Sequence, residues 1–178
     1  MSLSFCLQLL GLLAWPQQID LSATLSVCEA ISERGTYNGR VVGIRGEVKA
    51  GGHGSYFVAS SECKYQIVVK GVRWPNVIYL DFPNNRSRED DDHANFTVDW
   101  KTIEKAAEVV RGSRFQEGLD RLIATYVGRL VAVGDLEKRT NRPELGGTKL
   151  GFGPAGLDAP AKLLIKSVGN VVVERGSR

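Results

Sequence analysis

Chemistry near neutral pH needs titratable groups, and this chain offers few arrangements that could supply it. A hydrolase built on a nucleophile and an imidazole base would have to use His53 or His93, the two histidines present. Both fall in glycine-rich or charged stretches that read as loops, and neither lies in a catalytic signature. Glu89, Asp90, Asp91, Asp92 and His93 could offer oxygen and imidazole ligands to a cation. Adjacent residues cannot all turn towards one ion, however, and the spaced acids and glycine of a calcium loop are missing, so a solvated acidic loop is expected. No Cys/His set has zinc spacing. Gly151-Phe152-Gly153-Pro154-Ala155-Gly156 matches GxGxxG, but a dinucleotide site needs a helix straight after it, which Pro154 and Pro160 forbid. The expectation is therefore no catalytic residue, no cofactor and no metal.

One constellation remains. Tyr56, Tyr65, Arg73 and Trp74, with Lys64 and Lys70 nearby, could form a ligand face of stacking rings and cations. The competing reading packs these rings into the core, with Trp74-Pro75 as a structural corner, because the residue before a proline is held extended.

The elements that would position these residues are mainly strands. Asn38-Gly39 makes a turn, and Tyr37 to Lys49 then alternates, with Val42, Ile44 and Val48 on one face and Val41, Arg45, Glu47 and Lys49 on the other. Gly46 interrupts the apolar face and marks a bend or bulge, so this strand can serve two sheets at once. A related pattern returns at Tyr126 to Glu137. The match requires Arg45 as one extra residue in the first copy, the mark of a bulge, and the alternative is chance likeness between β-rich segments.

Ser26-Val27-Cys28-Glu29 is a capping box opening a short helix that stops before Gly35, with Val27 and Ile31 inward. Gly51 to Gly54 is a hairpin loop, Ser55 to Ala59 its return strand, Tyr65 to Val69 a short β-like run, Gly71 to Asn76 a turn, and Val77 to Phe82 a strand. Asp99 caps a helix with Trp100, Ile103, Ala107 and Val110 at helical spacing. A second helix is expected from Ser113-Arg114-Phe115-Gln116, another capping box, with Phe115, Leu119, Leu122 and Ile123 as its inner stripe. Tyr126 to Lys138 follows as strand four. Residues 139–160 hold five glycines and three prolines and read as a flexible loop, and Ala161 to Glu174 is the closing strand, with Gly169-Asn170 as a bulge or turn.

Length and composition, 178 residues with 43% hydrophobic and 24% charged, fit one domain with a substantial core. A net charge of +3 gives no electrostatic footprint for nucleic acid. Residues 1–23 read as a signal peptide around the apolar run Phe5 to Trp15, which is too short to span a bilayer. Without that leader two cysteines remain, Cys28 and Cys63, and in an oxidising compartment they are expected to pair; in a cytoplasmic protein they would instead be reduced and buried.

The expected fold is mainly β with helices (α+β): an OB-like closed barrel over 24–178, with an N-terminal plug helix and a helical insert, about 83–125, between strands three and four. The runs Cys28-Glu29-Ala30-Ile31, Tyr37 to Val42, Arg45 to Val48, Cys63 and Gly71 to Ile78 resemble a group of small exported bacterial OB-like proteins. Gly151-Phe152-Gly153 and Ala161 to Val168 are similar to the closing strand of that group. The resemblance implies fold, export and cysteine position, and it implies no functional residue. The expected function is an exported, periplasmic or secreted, non-catalytic binding module, with a protein or glycan of the cell envelope as partner, nucleic acid not expected, and no transmembrane span after leader removal. The alternatives are an oligonucleotide- or oligosaccharide-binding domain and an envelope hydrolase.

Overall fold

The structure, a computed structural model, describes residues 24–50, 55–60, 62–82, 97–137, 151–153 and 158–176. The expected leader at residues 1–23, His53, the acidic run with His93, and most of 139–160 lie outside these residues. In chain order the elements are β1 (Thr24–Ser26), α1 (Val27–Ser32), α2 (Arg34–Tyr37), β2 (Val41–Ala50), β3 (Tyr56–Ala59), β4 (Val68–Val69), β5 (Val72–Arg73), β6 (Val77–Asp81), α3 (Trp100–Gly112), β7 (Arg121–Ala132) and β8 (Ala161–Glu174).

Five of the strands close a barrel in the order β2-β3-β6-β8-β7, with β7 returning to pair with β2. All of these pairs are antiparallel except β6 with β8, where Ile78 lies beside Ala161 in a parallel ladder. The strand β2 is what makes closure possible. One edge carries β7 from Val41 to Val48, while the other edge takes β1 at Gly43 to Arg45 and then β3 from Glu47 to Ala50. Gly46 sits at that changeover, and a Cβ there would come within 2.5 Å of Val58 Cγ2 and 2.8 Å of Val27 Cγ2. The glycine at which a bend was expected is thus a place where neighbouring side chains crowd the backbone.

No register shift interrupts β2 against β7, so Arg45 is not an inserted residue. The bulges are on β8. Val127 faces Ser167 but Gly128 faces Ile165, leaving Lys166 extra, and Ile123 faces Val172 but Thr125 faces Gly169, leaving a second extra residue at Asn170 or Val171. Asn170 has φ of 49°, in line with the irregularity expected at Gly169-Asn170. The two segments read as a repeat are antiparallel partners, with Ile44 opposite Tyr126, and Gly134 and Asp135 lie past the end of β7.

The capping box forms as expected: Ser26 N–H donates to Glu29 Oε2 at 2.7 Å, and Glu29 N–H donates to Ser26 Oγ at 3.2 Å. These bonds hold the Glu29 carboxyl below its ordinary range. The helix breaks at Glu33, and Gly35 lies inside the separate turn α2 rather than beyond a helix end. Tyr37 to Arg40 then form a turn closed by Arg40 N–H on the Tyr37 carbonyl at 3.0 Å, with Gly39 at φ 77°. That combination suits glycine at the third turn position.

The second helix expected from Ser113 does not form. Arg114 at φ 54° and Gly118 at φ 83° break helical geometry, and residues from Arg121 onward pair with both β2 and β8, so sheet pairing overrides the helical spacing of Phe115, Leu119, Leu122 and Ile123. Strand β7 correspondingly begins earlier and ends earlier than the expected Tyr126 to Lys138. Similarly, the run Tyr65 to Val69 shrinks to β4, which pairs with β5 across Lys70 and Gly71, both at positive φ. Two consecutive left-handed residues are what a tight two-residue hairpin needs.

The core gathers Val27, Ala30 and Ile31 of α1 with Ile44, Val58, Ile78, Leu130, Leu163 and Ile165 of the barrel strands. Cys28 and Cys63 form a disulfide that ties α1 to the segment after β3. A disulfide fits an oxidising compartment.

Candidate functional site

Tyr56 opens β3 and shares a strand face with Val58, which is fully buried, so its ring belongs to the barrel side of the sheet. Its cross-strand neighbours are Ala50 and Leu80, and Phe82 meets it edge to face with ring centroids 6.3 Å apart. Nevertheless Tyr56 is 45% exposed, because it stands at the end of the barrel where the strands stop.

There, a cleft of about 740 Å³ opens between the ends of β2, β3 and β7 and the connection from α3 to β7. Val48, Ala50, Tyr56 and Leu122 line its floor, and Val110, Phe115 and Leu119 come from the helix and its connection. Leu119 is 51% exposed, which leaves a large apolar side chain beside an aromatic one at an open mouth. The volume lies within the usual range of small-ligand sites.

The charged groups of this cleft mostly satisfy one another. Arg121 donates from Nε to Glu47 Oε2 at 3.2 Å and from Nη1 to Glu174 Oε2 at 3.2 Å, and Lys49 also pairs with Glu47. Burial raises the Glu47 carboxyl, but the bonds from Lys49 and Arg121 outweigh it and leave the group below its ordinary range. Asp120 accepts from Gln116 N–H at 2.9 Å, from Arg175 Nη1 and from Gly176 N–H, the first of these doing most to hold its carboxyl low. Arg175 also donates to the carbonyls of Ser113 and Arg114, so the end of β8 fastens the connection that walls the cleft.

The four residues of the expected ligand face do not converge. Trp74 is fully buried in the core, with its N–H on the Ile67 carbonyl at 2.9 Å, and so offers no surface for stacking. Arg73 is exposed on β5, and Tyr65 is 49% exposed with its carbonyl accepting from Asn76 Nδ2 at 2.8 Å. That segment enters β6 at Val77, opposite Ala59, whereas Tyr56 lies at the other end of β3, roughly 10 Å along the strand. Only Tyr56 belongs to the cleft. Leu119 and Arg121 were not foreseen there, since only the pairing of β7 with both neighbours brings them to the mouth. Among the described residues, no group of three or more His, Cys, Asp or Glu could hold a metal ion, and no helix is long and apolar enough to cross a membrane. The Gly151 to Gly153 stretch is taken up by an antiparallel bridge between Phe152 and Ala159; residues 154–157 lie outside the description. Deep in the barrel, burial pushes the Tyr126 phenol well above its ordinary range.

In comparisons with known proteins, the chain matches no family model, no curated protein and no solved structure.

Proposed function

We propose that the chain is an OB-like barrel acting as a non-catalytic binding module outside the cytoplasm, with the cleft at the barrel mouth as its contact surface. Support for the OB-like reading comes from the strand order, from the parallel pairing of the third and fifth barrel strands, β6 and β8, and from a helix between the third and fourth. Residues 24–37, which include α1, stand in this reading as the plug at one end. The disulfide supports an oxidising, periplasmic or secreted setting.

The observation that carries the functional reading is the pairing of Tyr56 and Leu119 at a mouth where Glu47, Lys49, Arg121 and Asp120 are already in ion pairs. Such a site has apolar surface to give, and the one charged lining residue with no ion pair among the described residues, Glu117, is negative. It suits a neutral partner that stacks or packs, such as a glycan of the cell envelope or an uncharged protein edge, better than a polyanion. The experiment is a fluorescence titration with neutral hexosamine oligosaccharides and with a dT oligonucleotide at physiological salt. The expected result is saccharide binding that Tyr56→Ala weakens, with no oligonucleotide binding. Tight, salt-sensitive oligonucleotide binding would overturn the reading, as would turnover of generic ester, phosphate or glycoside substrates that His53→Ala or His93→Ala abolishes.

A further inference from the structure

A second surface stands apart from the barrel mouth, on the hairpin of β4 and β5. These two strands form a sheet of their own and pair with no strand of the barrel. The Trp74 N–H on the Ile67 carbonyl continues their ladder by one step, and both side chains of that step are buried. Val69 and Val72 face each other across the Lys70-Gly71 turn, and Val69 packs against the core, so this is the inner side of the hairpin. Val68 and Arg73 are the cross-strand pair between these two. Alternation puts them on the outer side, and both are exposed.

The outward surface is cationic and apolar together. Lys64, Lys70 and Arg73 are exposed and form no ion pair among the described residues, and the only acid between positions 60 and 76 is Glu62. At 55% exposure Val68 is the barest large hydrophobic side chain among the described residues, and Tyr65, half exposed, precedes it in the same segment. A single soluble anion needs donors that converge, and these cations are spread from position 64 to position 73. A nucleic acid backbone would use the cations and leave Val68 idle, and Trp74, which could have stacked on a base, is buried. An anionic bilayer surface matches both features. Its headgroups form an extended field of negative charge, and its interface takes up apolar and aromatic side chains between cations.

We propose that the β4–β5 hairpin docks the protein on a bilayer surface of anionic phospholipid, with Lys64, Lys70 and Arg73 at the headgroups and Val68 and Tyr65 entering the interface. This surface is separate from the cleft that contains Tyr56. The test is co-sedimentation of the full chain with vesicles of phosphatidylcholine alone, and of phosphatidylcholine and phosphatidylglycerol in equal parts. Residues 1–15 carry no charged side chain, so any contribution from them is common to both vesicles and drops out of the ratio of affinities. Each cation strengthens binding to an anionic surface by about fivefold, so the mixed vesicles should be preferred by on the order of a hundredfold at low salt. The combined variant Lys64→Gln, Lys70→Asn, Arg73→Gln should lose that preference and keep its circular dichroism, since asparagine tolerates the left-handed backbone at position 70. Val68→Ser should weaken binding to the mixed vesicles several-fold and leave its salt dependence in place, and Tyr56→Ala should change neither. Equal affinity for the two vesicle types, a preference that survives in the combined variant, or undiminished binding by Val68→Ser would overturn the proposal. So would tight binding of a dT oligonucleotide at physiological salt that the combined variant abolishes, since the surface would then serve a nucleic acid.

Discussion

The Asp99 N–H donates to the carbonyl of Lys166 at 2.8 Å, at the point where β8 carries one residue more than β7 can pair. An extra residue leaves ladder groups without a strand partner, and here the start of a helix takes up one of them. The Asp99 side chain meanwhile accepts from Thr102 N–H and caps α3. Asp99→Ala keeps the backbone bond and loses the cap, so it should cost about 1 kcal/mol in urea unfolding.

Two glycines should differ in their tolerance of alanine for a geometric reason. At Gly128 a Cβ would lie 2.2 Å from the Leu164 carbonyl oxygen, which is backbone inside the β7–β8 ladder, whereas at Gly46 the two nearest obstacles are side-chain methyls of Val58 and Val27, and the backbone oxygen of Ala59 stands farther off at 3.0 Å. Gly46→Ala should cost about 1 to 3 kcal/mol and Gly128→Ala more, because a ladder cannot rotate aside. Gly35→Ala, with open space around it, should be neutral or slightly stabilising. Thermal melts of the three variants check the order.

The rings of Trp74 and Tyr56 should separate stability from binding. Trp74→Ala removes a fully buried side chain and should cost about 3 to 5 kcal/mol in denaturant unfolding. Tyr56→Ala, nearly half exposed, should cost far less and act on ligand binding instead.

Reduction should loosen the fold without touching the lining of the cleft, which contains neither cysteine. The disulfide closes a sequence separation of 35, and in the chain-entropy model its loss should lower stability by about 3 to 4 kcal/mol. Guanidinium unfolding with and without dithiothreitol measures this.

Acid should weaken the connection between α3 and β7. The carboxyl of Asp120 is held below its ordinary value of 3.8, chiefly by the Gln116 N–H and then by Arg175 and Gly176. A depressed folded value means that its contribution is present above the unfolded value and is lost as pH falls through the folded one. Stability should therefore decline as pH drops below about 4, and Asp120→Asn should flatten that decline. Measuring unfolding midpoints between pH 6 and about pH 2 decides it.

Strands with a clean alternation or a long apolar run were legible in the sequence: β2 changes its edge partner at Gly46, and β8 has the expected bounds. The capping boxes show where legibility stops. Ser26 and Glu29 form theirs because α1 has a buried face to support it, whereas the pattern at Ser113 fails because Asp120 takes the Gln116 N–H and the following residues are drawn into two ladders at once. The site was hidden for the same reason. Tyr56 could be picked out as an aromatic on the return strand, but the stretch holding Leu119 and Arg121 was read as helical, and only long-range pairing brings them to the barrel mouth.

Closure of the barrel also sets how the chain can fold. The contact of Arg45 with Thr125, inside the β2–β7 pairing, joins positions 80 apart in sequence, while the β4–β5 hairpin is local. Ordering so long an intervening segment before the closing ladder rewards it raises the entropic barrier, and high contact order of this kind belongs to domains that fold in milliseconds to seconds. Until that step is complete β2 and β7 each expose an unpaired edge, so nascent chains at high concentration should be most prone to associate through those two strands.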